Sequence, residues 1–280
     1  MVIHAINTGY FKLDGGAMHG IVPKQIWNKT HPADDNNLCT WAMRCMLIES
    51  GNRLILIDTG CGNKQDDTFF KHYFLHGHDS LDMSIQNAGY HRSDITDVIL
   101  THLHFDHVGG ALVWDNARAH IIPRFANASY WVHPMHWQWA ANPNPREAAS
   151  FLKDNILPLQ NSGQLKFVYS DIFEPEPNIT FFIAHGHTES MIIPMVNTGK
   201  NTICFMADLI PSVFHIPIIY NMAYDIQPMV TMNEKKTFLD DAFSKGHTLF
   251  FQHDAAHECA TLQATEKGIR VQSTFALHEL

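Results

Sequence analysis

Apolar positions along the chain fall in short runs separated by turn residues. Residues 44–49 (RCMLIE) and 53–57 (RLILI) flank Ser50-Gly51-Asn52, and this predicts a hairpin that ends in Asp58-Thr59-Gly60. Residues 191–196 (MIIPMV) and 202–206 (TICFM) flank the turn Asn197–Asn201 and end near Asp208. Two hairpins that each close on an acidic residue suggest two related halves. Val98–Leu100, Phe181–Ile183 and Thr248–Phe251 are further short apolar runs. Nearly continuous apolar runs, rather than alternating ones, are expected of strands covered on both faces.

Three segments read as helices. Asn144-Pro145-Arg146-Glu147 offers an N-cap, a proline at the first position and an acid that closes a capping box; Ala148, Phe151, Leu152 and Ile156 then share one face. Thr231 with Glu234 opens a second helix, with Phe238, Leu239, Ala242 and Phe243 as its apolar side and Gly246 as its terminator. Residues 66–76 are the third. Strands interleaved with capped helices predict an α/β protein with helices on the outer faces of its sheets. No low-complexity linker divides the chain, so a single domain over residues 1–280 is expected.

Composition narrows the function. The 280 residues are 45% hydrophobic and 17% charged, which excludes a largely disordered chain. The net charge is −9 with no block of Lys or Arg, which argues against a nucleic-acid partner. Five cysteines without a CxxC pair argue for reduced thiols and against a thiolate metal site. The first residues lack a basic stretch followed by an apolar one, and no window approaches about 18 uninterrupted apolar residues. A cytoplasmic protein without a membrane partner is the expectation. There is no GxSxG elbow, GxGxxG loop or P-loop.

The 20 histidines are the main chemical signal. After the run at Val98–Leu100 comes Thr101-His102-Leu103-His104-Phe105-Asp106-His107-Val108-Gly109-Gly110. His102 and His104, two apart in extended backbone, point the same way. Asp106 and His107 face a nearby second point as the chain turns, and Gly109 and Gly110 permit that turn. At this chain's own His and Asp frequencies, HxHxDH would arise by chance roughly 0.007 times. One loop does not complete two metal sites. His187, Asp208 and His253 each stand where an apolar strand meets a loop, the usual address of ligands in α/β sheets. His185 and His257 compete with His187 and His253 on local pattern alone.

HxHxDH, then Gly186-His187-Thr188, then an aspartate after a strand and a late histidine, resemble the metallo-β-lactamase superfamily from Asp58 to His253. The resemblance implies a four-layer αββα sandwich with a dinuclear site at one edge of the sheets. It implies His102, His104 and His187 on one metal and Asp106, His107 and His253 on the other, with Asp208 bridging. Asp58 resembles the family's strand-end aspartate, which braces the ligand loop. Asp14-Gly15-Gly16, Val22-Pro23 and Asn144–Glu147 resemble the branch of acyl-homoserine-lactone lactonases and organophosphate-degrading hydrolases. Lactonases of that branch carry a tyrosine three residues after the bridging aspartate, where this chain has Pro211.

The expected function is therefore a dinuclear hydrolase. A metal-bridging hydroxide would attack a small ester, lactone or phosphotriester, with Asp106 orienting the nucleophile or taking its proton. Imidazole and carboxylate donors suit two divalent ions, Zn²⁺ first and Mn²⁺, Fe²⁺ or Co²⁺ next. A mononuclear iron-dependent dioxygenase of the same fold is the alternative. The expected partner is a small-molecule substrate, and the resemblance leaves a homodimer open. Phe105 is expected to face the site, and Trp131, Trp137 and Trp139 form an aromatic group that either walls a pocket or packs in the core. Cys61, beside the Asp58 turn, reads as a packed small residue.

Overall fold

A computed structural model describes all residues 1–280. Its strands are β1 (Val2–Asp14), β2 (Leu38–Ser50), β3 (Arg53–Ile57), β4 (Asp97–Ile99), β5 (Leu112–Trp114), β6 (Ile121–Pro123), β7 (Ser129–Val132), β8 (Leu165–Phe167), β9 (Ile179–Ala184), β10 (Met191–Asn197), β11 (Thr202–Phe205), β12 (Thr248–Phe250), β13 (Cys259–Thr265) and β14 (Gly268–Phe275). The α-helices are α1 (Gly15–His19), α2 (Lys24–Trp27), α3 (Asp67–Phe70), α4 (Leu81–Asn87), α5 (Phe105–Val108), α6 (Pro134–Ala141), α7 (Lys153–Asn161) and α8 (Pro228–Lys245). None of them is long and apolar enough to cross a membrane.

Two six-stranded sheets form the centre, in the orders β1-β2-β3-β4-β7-β8 and β14-β13-β12-β11-β10-β9, and β5 pairs with β6 apart from them. Alternation along β2 shows how they stack. Met46 and Ile48 face the second sheet and pack with Ile193, Phe205 and Phe250, whereas Cys45 and Leu47 face the opposite layer with Leu81, Trp137 and Ile156 of α4, α6 and α7. Phe238, Leu239 and Ala242 of α8 cover the far side of the second sheet. The layers are thus helix, sheet, sheet, helix, and the central strands β3, β4, β11 and β12 are covered on both faces. That double burial is why the apolar runs were continuous.

The two halves repeat one connection. The hairpin β2–β3 is antiparallel and β3 pairs in parallel with β4; the hairpin β10–β11 is antiparallel and β11 pairs in parallel with β12. Gly246 ends α8 at φ 67°, the left-handed terminator expected there.

All three expected helices differ in their bounds. Helix α8 begins at Pro228, three residues before Thr231, and Glu234 accepts from the His185 and Gly186 amides instead of capping it. No helix starts at Asn144. The Asn144 side chain accepts from the Arg146 and Glu147 amides, but Glu147 turns inward and closes no capping box; helix α7 begins only at Lys153. Residues 66–76 give a single turn, α3, and then loop.

Candidate metal centre

Seven donor side chains meet at one edge of the sheets, on four loops that each leave the C-terminal end of a strand. His102, His104, Asp106 and His107 follow β4, His187 follows β9, Asp208 follows β11 and His253 follows β12. In the loop after β4, His102 and His104 come together, with Nε2 of the first 3.1 Å from Nδ1 of the second. His104 then precedes the one-turn helix α5, which carries Asp106 and His107. Gly109 and Gly110 matter for space, not for left-handed backbone. A Cβ on Gly109 would stand 2.1 Å from the Cys61 carbonyl oxygen, and one on Gly110 2.1 Å from that of Thr59.

The donors form two groups, His102–His104–His187–Asp208 and Asp106–His107–His253, every one buried. Asp208 joins them. Its Oδ2 lies 3.0 Å from His187 Nε2 and 3.7 Å from His102 Nε2; its Oδ1 lies 3.0 Å from His253 Nε2 and 3.5 Å from His107 Nε2. Asp106 Oδ2 stands 3.7 Å from both His107 Nε2 and His253 Nε2. The expected seven residues are therefore brought together. His185 and His257 are not. His185 pairs with Glu189 at 2.8 Å near the surface, and His257 is tied through its backbone to Asp254 and Arg44.

Each histidine turns its other nitrogen to an acceptor. His107 Nδ1 meets Asp58 at 2.9 Å, His187 Nδ1 meets Asp225 at 2.9 Å, and His253 Nδ1 meets the Ala42 carbonyl at 2.8 Å. His102 Nδ1 reaches the Thr101 hydroxyl at 3.1 Å, and that hydroxyl itself donates to Asp58. His104 Nε2 lies 3.5 Å from Glu147 Oε1. With the outer nitrogens protonated, the inner nitrogens offer lone pairs to one another at 3.1–3.3 Å. Such pairs repel unless a cation lies between them. Asp208 Oδ1, buried, also lacks a hydrogen-bond partner. Five lone-pair nitrogens and two carboxylates converging without protons fit divalent cations, and the mixed N/O set fits zinc.

The electrostatics agree. Without a cation, burial opposes charge on His187, yet the Asp208 and Asp225 carboxylates hold it up to about 10. His107 is likewise driven well above its ordinary value, against burial, by Asp208 and Asp106. Burial, with His107 and His104 beside it, pushes His102 well below. Protons and cations thus compete for the same nitrogens.

Asp58 sits at φ 58° and Ala207, just before Asp208, at φ 42°. Left-handed backbone at non-glycine residues costs about 1–2 kcal/mol each and here aims both carboxylates. Asp225 and Glu147 were missed as partners of His187 and His104. Asp225 lies 38 residues from its histidine. Glu147 gave a local helix-cap signal instead, but its carboxylate accepts from Trp139 Nε1 at 2.7 Å and also from Asn144. Burial raises its pKa, and the nearby His104 ring, with Thr188 and the bond from Trp139, overcomes this and brings it down to about 2.

A cavity of about 390 Å³ opens onto the donors. Leu13, Met18, Tyr73, Phe105, Met222 and Tyr224 supply its apolar wall, with Arg146 at one side. Phe105 faces it as expected. The tryptophans do not line it: Trp131 bonds Asp97 and packs on Phe173, Trp137 lies in the core beneath the first sheet, and Trp139 holds Glu147. Pro211 presents its carbonyl to the His253 amide at 3.2 Å. A wider cleft of about 900 Å³, between Arg92, Trp114 and Arg118, contains none of the seven donors.

Comparison with known proteins points the same way. The family model described as the metallo-beta-lactamase superfamily matches residues 44–253. An N-acyl homoserine lactonase of Bacillus cereus is 23% identical over 240 residues, 81% of this chain and 86% of its own length. A probable metal-dependent hydrolase from Staphylococcus aureus superposes with a TM-score of 0.88 at 26% identity, over 100% of this chain and 98% of its own. A dizinc quorum-quenching lactonase bound to its product superposes with a TM-score of 0.79 at 21% identity, over 98% and 95%.

Proposed function

From the premise that this chain belongs to the metallo-beta-lactamase superfamily, we propose that it is a dinuclear metal-dependent hydrolase of small esters, lactones or phosphotriesters. The observation that carries this is the split of Asp208, one oxygen toward each group of donors. His102, His104 and His187 would hold one ion and Asp106, His107 and His253 the other, with Asp208 shared. The ions would supply Lewis acidity toward the substrate oxygen and acidify water at neutral pH.

The chain's own residues do the rest. The outer hydrogen bonds of His102, His107, His187 and His253 fix those imidazoles in the tautomer that presents a lone pair inward, and the Glu147 carboxylate faces the outer nitrogen of His104. Asp106 lines the cavity and takes the proton of the attacking water. Tyr73 and Tyr224 line it too; a phenol is protonated at neutral pH, and burial raises that of Tyr73 further, to about 12. They are donors available to a substrate oxygen in a chain that has Pro211 three residues after Asp208. The wall of Leu13, Met18, Phe105 and Met222 excludes water and suits an uncharged substrate. The lactonase and dizinc lactonase relatives support a lactone or related acyl compound as the first substrate to try.

The test is metal content of protein purified without chelator, beside a panel of lactones, aryl esters and phosphotriesters. About two equivalents of metal with turnover that a chelator abolishes and metal restores is the expected result. One equivalent of iron with oxygen uptake and no hydrolysis would replace the proposal with a mononuclear dioxygenase. No metal after reconstitution would refute the ligand assignment.

A further inference from the structure

Lys235 is the unusual basic residue of α8. It is 1% exposed, in a helix whose neighbouring inward positions, Phe238, Leu239 and Ala242, are apolar. A lysine so placed is costly unless its ammonium is fully used. All its bonds go to one segment: Nζ donates to the Pro217 carbonyl at 3.0 Å, the Tyr220 carbonyl at 2.9 Å and Asn221 Oδ1 at 3.3 Å. No carboxylate neutralises it within 4 Å, so it is a backbone clamp rather than half of an ion pair.

That segment leads directly to the site. Residues 217–227 contain no helix or strand. Within them Met222, Ala223 and Tyr224 line the cavity, and Asp225 holds His187 Nδ1 at 2.9 Å. Asp225 also accepts from the Met222 amide, so wall and brace move as one unit. The unit is tied at its cavity end by the Ala223 amide to the Ala17 carbonyl, 2.8 Å, and by Arg146 to the Ala223 carbonyl. Its other end is clamped by Lys235, and Asn221 itself donates to the Pro228 carbonyl at 2.8 Å. Irregular chain with few intrinsic bonds keeps its geometry only where such ties over-determine it.

We propose that Lys235 is a positioning residue of the metal centre: its grip on residues 217–221 holds Asp225 on His187 and Tyr224 on the cavity wall. This rests on the reading of His187 as a metal ligand and deepens it. Loss of the clamp lets the segment shift by fractions of an ångström, enough to lengthen the Asp225–His187 bond.

The experiment compares Lys235→Met, which keeps length and apolar volume, with Asp225→Asn and the double variant. Zinc affinity is measured by chelator competition, and KM and kcat on whichever panel substrate the wild type hydrolyses. An outer-shell partner typically contributes 10–100-fold to metal affinity, so Asp225→Asn should fall in that range and Lys235→Met should lose about tenfold, with KM raised more than kcat is lowered. The two losses should not add, because both act through one bond. If Lys235→Met melts earlier but keeps wild-type zinc affinity and KM, or if the losses add fully, the proposal is overturned. If Lys235→Met does not fold, Asn221→Ala, which removes one clamp contact together with the tie to Pro228, should show the same loss of affinity at smaller size; wild-type affinity there also overturns it. Failure of the wild type itself to bind zinc is a different result, and refutes the ligand reading rather than the clamp.

Discussion

Asp58 offers the sharpest test of how the site is held. It is fully buried, and its two oxygens accept three hydrogen bonds: from the Thr101 amide at 2.8 Å, the Thr101 hydroxyl at 2.7 Å and His107 Nδ1 at 2.9 Å. Asp58→Asn changes almost nothing in volume, and asparagine tolerates the φ of 58° better than most residues. It does replace one acceptor by a donor. Whichever way the amide turns, an N–H faces either Thr101 or His107. A bond to an ionised group contributes about 1.5–3 kcal/mol, so one such loss corresponds to roughly 10–150-fold. If the amide turns its nitrogen to His107, the ring loses the tautomer that offers Nε2 inward. The loss should then fall on the group containing His107, with His102, His104 and His187 less affected. Stepwise chelator competition should therefore show one zinc weakened about 10–100-fold and the other nearly unchanged. Two zinc affinities equal to wild type, in a variant that melts like wild type, would refute the bracing role.

Other outcomes follow from the same structure. Glu147→Gln should lower zinc affinity about tenfold at the group containing His104 and leave the other group unchanged, in the same competition assay. His19 is buried against Trp27 and Trp41, and burial brings it down to about 4 from an ordinary 6.5. A depressed histidine stays neutral in the fold while the unfolded chain takes a proton, so its stability contribution is present above pH 6.5 and is lost as pH falls toward 4. The loss amounts to about 3 kcal/mol by 1.36 kcal/mol per pKa unit; denaturation of metal-free His19→Phe against wild type should show a shallower pH slope, and parallel slopes would contradict this. Gly110→Ala, whose Cβ would collide with the Thr59 carbonyl, should cost more than about 3 kcal/mol or prevent folding, measured by denaturant midpoint. Chelation should lower the melting temperature of the wild type by relieving no strain but leaving facing lone pairs and partly protonated imidazoles, and added zinc should restore it.

Much of this molecule was legible along the chain because the relevant signals are local. Strand-end donors at His102, His104, His187, Asp208 and His253 follow apolar runs whose hairpins pair as read, β2 with β3 and β10 with β11. The i,i+2 spacing of His102 and His104 was read correctly as bringing the two rings together. Gly246 ended its helix by its own backbone preference. Tertiary structure decided what local pattern could not encode. Glu147 carried a local cap signal, and the pull of His104, Trp139 and Asn144 overrode a preference of about 1 kcal/mol, so no helix starts there. His187 and His185 were equal by sequence, and packing of α8 and the 217–227 segment against the β9 loop gave one of them Asp225 and left the other at the surface. His19, His31 and His215 looked like the same residue type as the donors, yet His19 stacks on Trp27, His31 stacks on Trp41 and His215 meets Phe214 edge-on, and burial lowers the pKa of all three. Donor type and spacing are properties of neighbouring residues, so the sequence determined them. Which nitrogen faces inward, and which carboxylate stands behind it, depends on residues tens of positions away, and only the closed fold brings those together.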